Sequence, residues 1–269
     1  MPTVHFLQPA SGAAERMICL HSSAASPRQW DPYRQRLGRR FELLTPELIG
    51  YAGPTGWPSG KPASLDDEAR QLAPLLQREG AHLLGHSYGA AVALQIALRW
   101  PDRVRSLTLY EPVRFALLTH APALSESADW ITGVGRRIGM RVLSGARHAA
   151  AAMFVDYWSG EDSWPLLSAS QRNALAERMP KVQAEFEALF ADRVPPAAYR
   201  ELRMPVTLLG GSRSPLPVRQ VLDLLEPQFP NCRRVHFDGL GHMGPMQDPQ
   251  RVLAEVETSV ESPSWPDAA

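Results

Sequence analysis

Cysteine is scarce in this chain: Cys19 and Cys232 are the only two in 269 residues. A disulfide framework needs more cysteines than that, and both are read as buried free thiols in strand-like runs. Lysine is scarcer than a balanced chain needs, with Lys61 and Lys181 alone among a basic set that is otherwise arginine. Excess charge of either sign is missing, because 28 basic residues meet 28 acidic ones. No field is left to gather phosphates or anionic headgroups, so nucleic acid and membrane are excluded as expected partners. No segment approaches the roughly 18 apolar residues of a membrane span. The start, Met1-Pro2-Thr3-Val4-His5-Phe6, lacks the charged and apolar regions of a signal peptide, and a cytoplasmic location is expected. Metal-ligand spacing, a P-loop and a dinucleotide glycine pattern are also missing, so no metal or organic cofactor is expected.

What is present is 44% hydrophobic residues, enough for one large core. Short apolar runs alternate with helical patterns. Strands are read at 17–20, 41–45, 81–84, 104–110, 205–209 and 233–237, with a closing helix over 248–260. Ser64-Leu65-Asp66-Asp67 reads as a capping box opening a helix whose apolar face is Leu65, Ala69, Leu72, Leu75 and Leu76. This alternation predicts an α/β fold, a mostly parallel sheet with helices on both faces. From 113 to 202 the pattern is helical only, and Pro180 should break or kink a helix there. The division expected is a core of 1–112 and 203–262, a helical cap insertion of 113–202 and a flexible tail of 263–269.

Gly85-His86-Ser87-Tyr88-Gly89 follows an apolar strand and precedes a helix of small residues. A serine on so tight a turn projects its hydroxyl above the sheet edge, and glycines avoid collision at 85 and 89. Serine needs a base to become a nucleophile. Of eight histidines, His242 is best placed, in the glycine-flanked loop Asp238 to Pro245 between the last strand and the last helix. His86 reads as support inside the elbow, and His21 as a brace for backbone.

On these motifs, and on an early strand ending in His21-Ser22-Ser23, the chain resembles the α/β-hydrolase superfamily over roughly 16–112 and 204–260. The resemblance implies a Ser–acid–His triad and a helical cap over the site. Most members of that superfamily carry an Asp shortly after the strand read here at 205–209. This chain has Gly210-Gly211-Ser212-Arg213-Ser214-Pro215 instead, with Ser214 at the usual acid position. Some relatives, certain haloalkane dehalogenases among them, place the acid after the strand that follows the nucleophile helix. Here that position is Glu111, with Asp238 and a Ser–His dyad without an acid as alternatives. The resemblance also points to the amides of Tyr88 and Ser23 as oxyanion donors. A plain polar loop is the other reading of Ser22 and Ser23. Candidate pocket walls are Trp30, Tyr88, Phe115, Leu118, Phe154, Trp158 and Met243, several of which core packing explains equally well.

The expectation is a serine hydrolase of small carboxylic esters with a small-molecule substrate, as monomer or homodimer. Carbon–carbon hydrolysis, thioester, lactone or perhydrolase chemistry would use the same triad, and a non-catalytic receptor on the scaffold is the rival from another class.

Overall fold

Apolar strands flanked by short turns assemble here into one seven-stranded sheet of order β1-β3-β2-β4-β5-β6-β7. The computed structural model describes residues 4–7, 15–51, 57–58, 60–76 and 79–261; the tail expected to be flexible lies outside them. The strands are β1 (Val4–Leu7), β2 (Glu15–Leu20), β3 (Phe41–Pro46), β4 (Ala81–His86), β5 (Val104–Tyr110), β6 (Val206–Gly211) and β7 (Cys232–Phe237). Only β1, which the sequence reading did not include, runs antiparallel, against β3. Strands β2 to β7 pair in parallel. Every residue of β4 and β6 is buried, as a sheet covered on both faces requires. Cys19 is buried in β2, whereas Cys232, at the start of the edge strand β7, is only half-buried; both thiols are free.

The helices are α1 (Asp31–Leu37), α2 (Leu65–Leu72), α3 (Tyr88–Arg99), α4 (Ser125–Leu143), α5 (Arg147–Ser159), α6 (Ala169–Phe190), α7 (Leu216–Leu225), α8 (Gly244–Gln247) and α9 (Pro249–Glu261). Two apolar cores lie against the sheet: one gathers α2, α3 and α7, the other α1 and α9. The Ser64 hydroxyl caps α2 by accepting from the Asp67 amide, one arm of the box read from sequence. The reciprocal box is found instead at Ser168 and Gln171, which open α6.

Among the described residues between β5 and β6 there is no strand, and α4, α5 and α6 pack on one another there. Arg114, at the start of this stretch, and Asp192, near its end, form a buried ion pair of 2.8 Å. Pro180 does not break α6, which runs through it for 22 residues. The lost N–H costs one backbone bond, and burial of Met179, Lys181 and Val182 around the proline holds the helix together.

The parallel ladder delivers its strand ends to one edge. It continues a step past each strand: Ser87 N donates to Tyr110 O (2.9 Å), Glu111 N to Leu209 O (3.0 Å), and Ser212 N to Phe237 O (3.0 Å). Residues far apart in sequence, at 87, 111, 214 and 242, meet above this edge.

Candidate active site

Ser87 sits between β4 and α3 with φ 56° and ψ −117°, a conformation that side chains other than glycine rarely adopt. The flanking glycines are steric necessities. A Cβ at residue 85 would lie 2.5 Å from Ala90 Cα, and one at residue 89 would lie 2.3 Å from the Leu20 carbonyl oxygen. The turn is thus wedged between its own helix and the neighbouring strand, which aims the serine hydroxyl upward. Glu111 (φ 49°) and Ala24 (φ 56°) are strained in the same way. Three of the four positive-φ residues other than glycine among those described therefore belong to this one region.

Ser87 Oγ lies 2.9 Å from Nε2 of His242, and Nδ1 of His242 lies 2.6 Å from Oε2 of Glu111. This pattern assigns the proton on the ring to Nδ1, donating to the carboxylate, and lets Nε2 accept from the serine. His242 and Glu111 are both buried. The second oxygen of Glu111 accepts from Gly211 N (2.7 Å) and from Ser214 Oγ (2.5 Å). Ser214, which the sequence reading sets at the usual acid position, is thus a donor to the Glu111 carboxylate. Asp238, the alternative acid, instead accepts from Ser212 Oγ at 3.2 Å on the surface.

Neutral histidines and tyrosines hold the loops. His86 Nε2–H donates to the His242 carbonyl (2.8 Å), and His86 Nδ1 accepts from Gln29 Nε2 (3.2 Å). Gln29 Oε1 in turn accepts from both the amide and the hydroxyl of Ser22. One continuous chain of bonds therefore ties the histidine loop to the loop after β2. Burial, and then the neighbouring His242, push the His86 pKa well below its ordinary value, so it stays a neutral spacer. His21 is likewise lowered to about 4, mainly by burial; its Nδ1–H donates to Ser22 O and its Nε2 accepts from Leu48 N. Tyr110 donates to Gly241 O and Tyr33 to Pro245 O, both at the base of the histidine loop.

In the loop after β2, the amides of Ser22 and Ala24 are taken by Gln29 Oε1 and Tyr51 Oη. Ser23 lies between them and lines a cavity of about 250 Å³ that reaches Ser87 and His242. The apolar wall of this cavity is Phe154, Val155, Trp158, Leu167, Leu175, Met243 and Met246, and its polar groups are serines and the one histidine. Trp158 of α5 lies over the His242 ring, with centroids 4.0 Å apart. Phe154, Trp158 and Met243, named from sequence, are in the lining. The others are not. Trp30 is buried beside Tyr33 in the core against α1 and α9, on the other face of the sheet. Phe115 stands behind Trp158, with ring centroids 6.5 Å apart, and Leu118 is core. The Tyr88 ring is fully buried and packs near the Lys181 ammonium.

The α/β-hydrolase family profile matches residues 17–256. This chain belongs to the α/β-hydrolase family, and it is an enzyme of that family. It is 25% identical over 256 residues, covering 91% of this chain and 97% of the other, to the pimeloyl-[acyl-carrier protein] methyl ester esterase of Aromatoleum aromaticum. It is 30% identical over 105 residues, 37% of each chain, to the 2-hydroxymuconate semialdehyde hydrolase of Pseudomonas sp. strain CF600. Among solved structures it resembles MGS-M2, an α/β hydrolase from a Medee basin deep-sea metagenome library, with a TM-score of 0.78 at 15% identity. That match covers 99% of this chain and 96% of the other.

Sequence reasoning missed Gln29, Ser214 as a donor, and three buried charges, Glu68, Lys181 and Glu185. Glu68 carried a readable signal. It falls on the apolar stripe of α2 with Leu65, Ala69 and Leu72, where a solvated carboxylate would not be placed.

Proposed function

We propose that this hydrolase cleaves small, neutral carboxylic esters through an acyl-enzyme, with Ser87 as nucleophile, His242 as general base and acid, and Glu111 as the carboxylate that orients His242. The observation that supports this reading most is the unbroken line Ser87–His242–Glu111, at 2.9 and 2.6 Å, opening onto an apolar cavity. The similarity to a methyl ester esterase along nearly its whole length agrees with it.

The steps follow from the contacts. His242 Nε2 takes the Ser87 proton as Oγ bonds to the ester carbonyl carbon. The carbonyl oxygen becomes an oxyanion facing the amides of Tyr88, at the start of α3, and of Ser23; one such donor contributes about 3 kcal/mol. The carbon–oxygen bond to the alcohol breaks, and His242 returns its proton to the departing alkoxide. Water then gives a proton to His242 and attacks the acyl carbon; Ser87 leaves with that proton, and the carboxylic acid is released. A carboxylate or ammonium on the buried part of the substrate would lose its hydration against Phe154, Leu167, Leu175 and Met246 with no opposite charge in the lining. That favours neutral apolar esters over the acidic substrates some carbon–carbon hydrolases would require.

The test is turnover of a p-nitrophenyl ester series, acetate to octanoate, by the wild type and Ser87→Ala. Turnover that disappears in the variant is expected. Equal rates in both would overturn the reading and shift the reaction to carbon–carbon substrates or to ligand binding without turnover.

A further inference from the structure

Three charged side chains are buried together beside the loop after β2. Lys181 Nζ on α6 is 2.9 Å from Glu68 Oε1 on α2 and 3.5 Å from Glu185 Oε1 one turn along α6; all three side chains are 1% exposed. The ammonium is ringed by aromatic faces, with Trp57, Tyr88 and Tyr51 centroids at 4.8, 5.2 and 5.9 Å. One cation thus faces two carboxylates in a buried site, and such an arrangement is a poor way to gain stability, since apolar residues of like volume commonly do as well or better.

The cluster reaches both loops that supply the oxyanion amides. Glu68 Oε2 accepts from Ile49 N, and the Tyr88 hydroxyl faces the same carboxylate. Neither oxygen of Glu185 has a hydrogen bond of regular geometry; its polar neighbours are Lys181 and the hydroxyls of Ser23 and Tyr51. Tyr51 Oη accepts from Ala24 N (2.8 Å), and Arg178 of α6 donates to Ala24 O (2.6 Å). Residues 23 and 24, with Ala24 in a strained conformation, are therefore held from α6 at several points.

We propose that Lys181 and Glu185 are positioning residues for the oxyanion hole: Glu185 draws in the Ser23 hydroxyl while Lys181 and Glu68 fix the Tyr88 ring, so that α6 sets the spacing of the two amide donors. This rests on the functional reading given above. The device acts on residues 23 and 88 and touches neither Ser87 nor His242. Burial, partly offset by Lys181, raises the Glu185 pKa to about 7, so its charge changes near neutrality. Its charged and titratable surroundings are Lys181 and Arg178 on α6, Glu68 on α2, Tyr88 on α3, Tyr51 on the loop after β3 and His21 at the end of β2.

The decisive variant is Glu185→Leu, which leaves Lys181 and Glu68 as a balanced pair and so retains the fold. Its melting temperature at pH 8 should equal or exceed that of the wild type. Its kcat on p-nitrophenyl butyrate should fall about tenfold or more with KM within about twofold, because a misplaced donor acts only in the transition state. Affinity for an aryl trifluoromethyl ketone, which forms the tetrahedral adduct, should fall by the same factor. Glu185→Gln, with a polar group still opposite Ser23, should recover most of both. A folded Glu185→Leu with wild-type kcat and wild-type ketone affinity would overturn the proposal. If Glu185→Leu does not fold, Ser23→Ala is read in the same way, since it keeps the amide and removes the hydroxyl. A wild type that turns over no ester sinks the functional reading alone, because ketone binding by the wild type and Glu185→Leu still reports on the hole.

Discussion

The two oxygens of Glu111 have separate tasks: Oε2 faces the imidazole, and Oε1 is held by Gly211 N and Ser214 Oγ. Glu111→Gln should keep the fold and lower kcat about ten-thousandfold with little change in KM, since an amide favours the wrong imidazole tautomer. Ser214→Ala removes one of two donors and should cost about 1 kcal/mol of stability, read by denaturant unfolding. The double variant Glu111→Ala with Ser214→Asp moves the carboxylate to the position common among relatives, and should regain part of the turnover lost in Glu111→Ala alone. The contact line Ser87–His242–Glu111 was legible in the sequence because each residue follows a strand and carries a local signature: a glycine-flanked turn, a carboxylate before proline, a glycine-rich loop. Lys181 and Glu185 were not, because a charge on a helix ordinarily reads as a solvated face, and only the buried ion pair of Lys181 with Glu68 of α2 shows otherwise. Trp30 misled for the converse reason. A large aromatic after an early strand fits either a pocket wall or a core, and α1 turns it to the core.

At the scale of elements, six parallel strands were readable to within a residue or two because continuous apolar runs bounded by turns are a strong signal. β1, four residues long and antiparallel, is too short to carry one. α6 is the element where local chemistry and packing disagree most. Proline in a helix interior ordinarily costs about 3 kcal/mol, yet α6 continues through Pro180. Pro180→Ala restores the missing donor and should raise the melting temperature by several degrees, as followed by circular dichroism; a fall would mean that ring burial outweighs the regained bond. Gly135 of α4 is under the opposite constraint. A Cβ there would lie 2.7 Å from the Phe190 ring, so Gly135→Ala should lower the melting temperature by pushing α4 from α6.

For the whole molecule, the buried titratable groups set how stability varies with pH. His21, His82 and His86 all have pKa values lowered mainly by burial, His21 to about 4. The unfolded chain takes up protons near pH 6.5 that the folded chain refuses. Their contribution is therefore intact above about pH 6.5 and is lost as the pH falls toward 4. Glu185 runs the other way: its pKa is raised to about 7, so its contribution is present below about 4.5 and lost as the pH climbs toward 7. Glu68, also raised by burial, runs with Glu185, but three imidazoles outweigh two carboxyls, so the melting temperature should be lower at pH 5 than at pH 7.5, and Glu185→Leu should gain most on the alkaline side. The burial of Lys181 also reaches beyond pH and turnover. Of the two lysine side chains, it leaves Lys61 alone at the surface. Amine-reactive dyes, crosslinkers and activated supports would then find a single ε-amino group to couple to, the one over the Trp57 ring. Peptide mapping after mild N-hydroxysuccinimide treatment of the folded protein should show modification at Lys61 and an untouched Lys181.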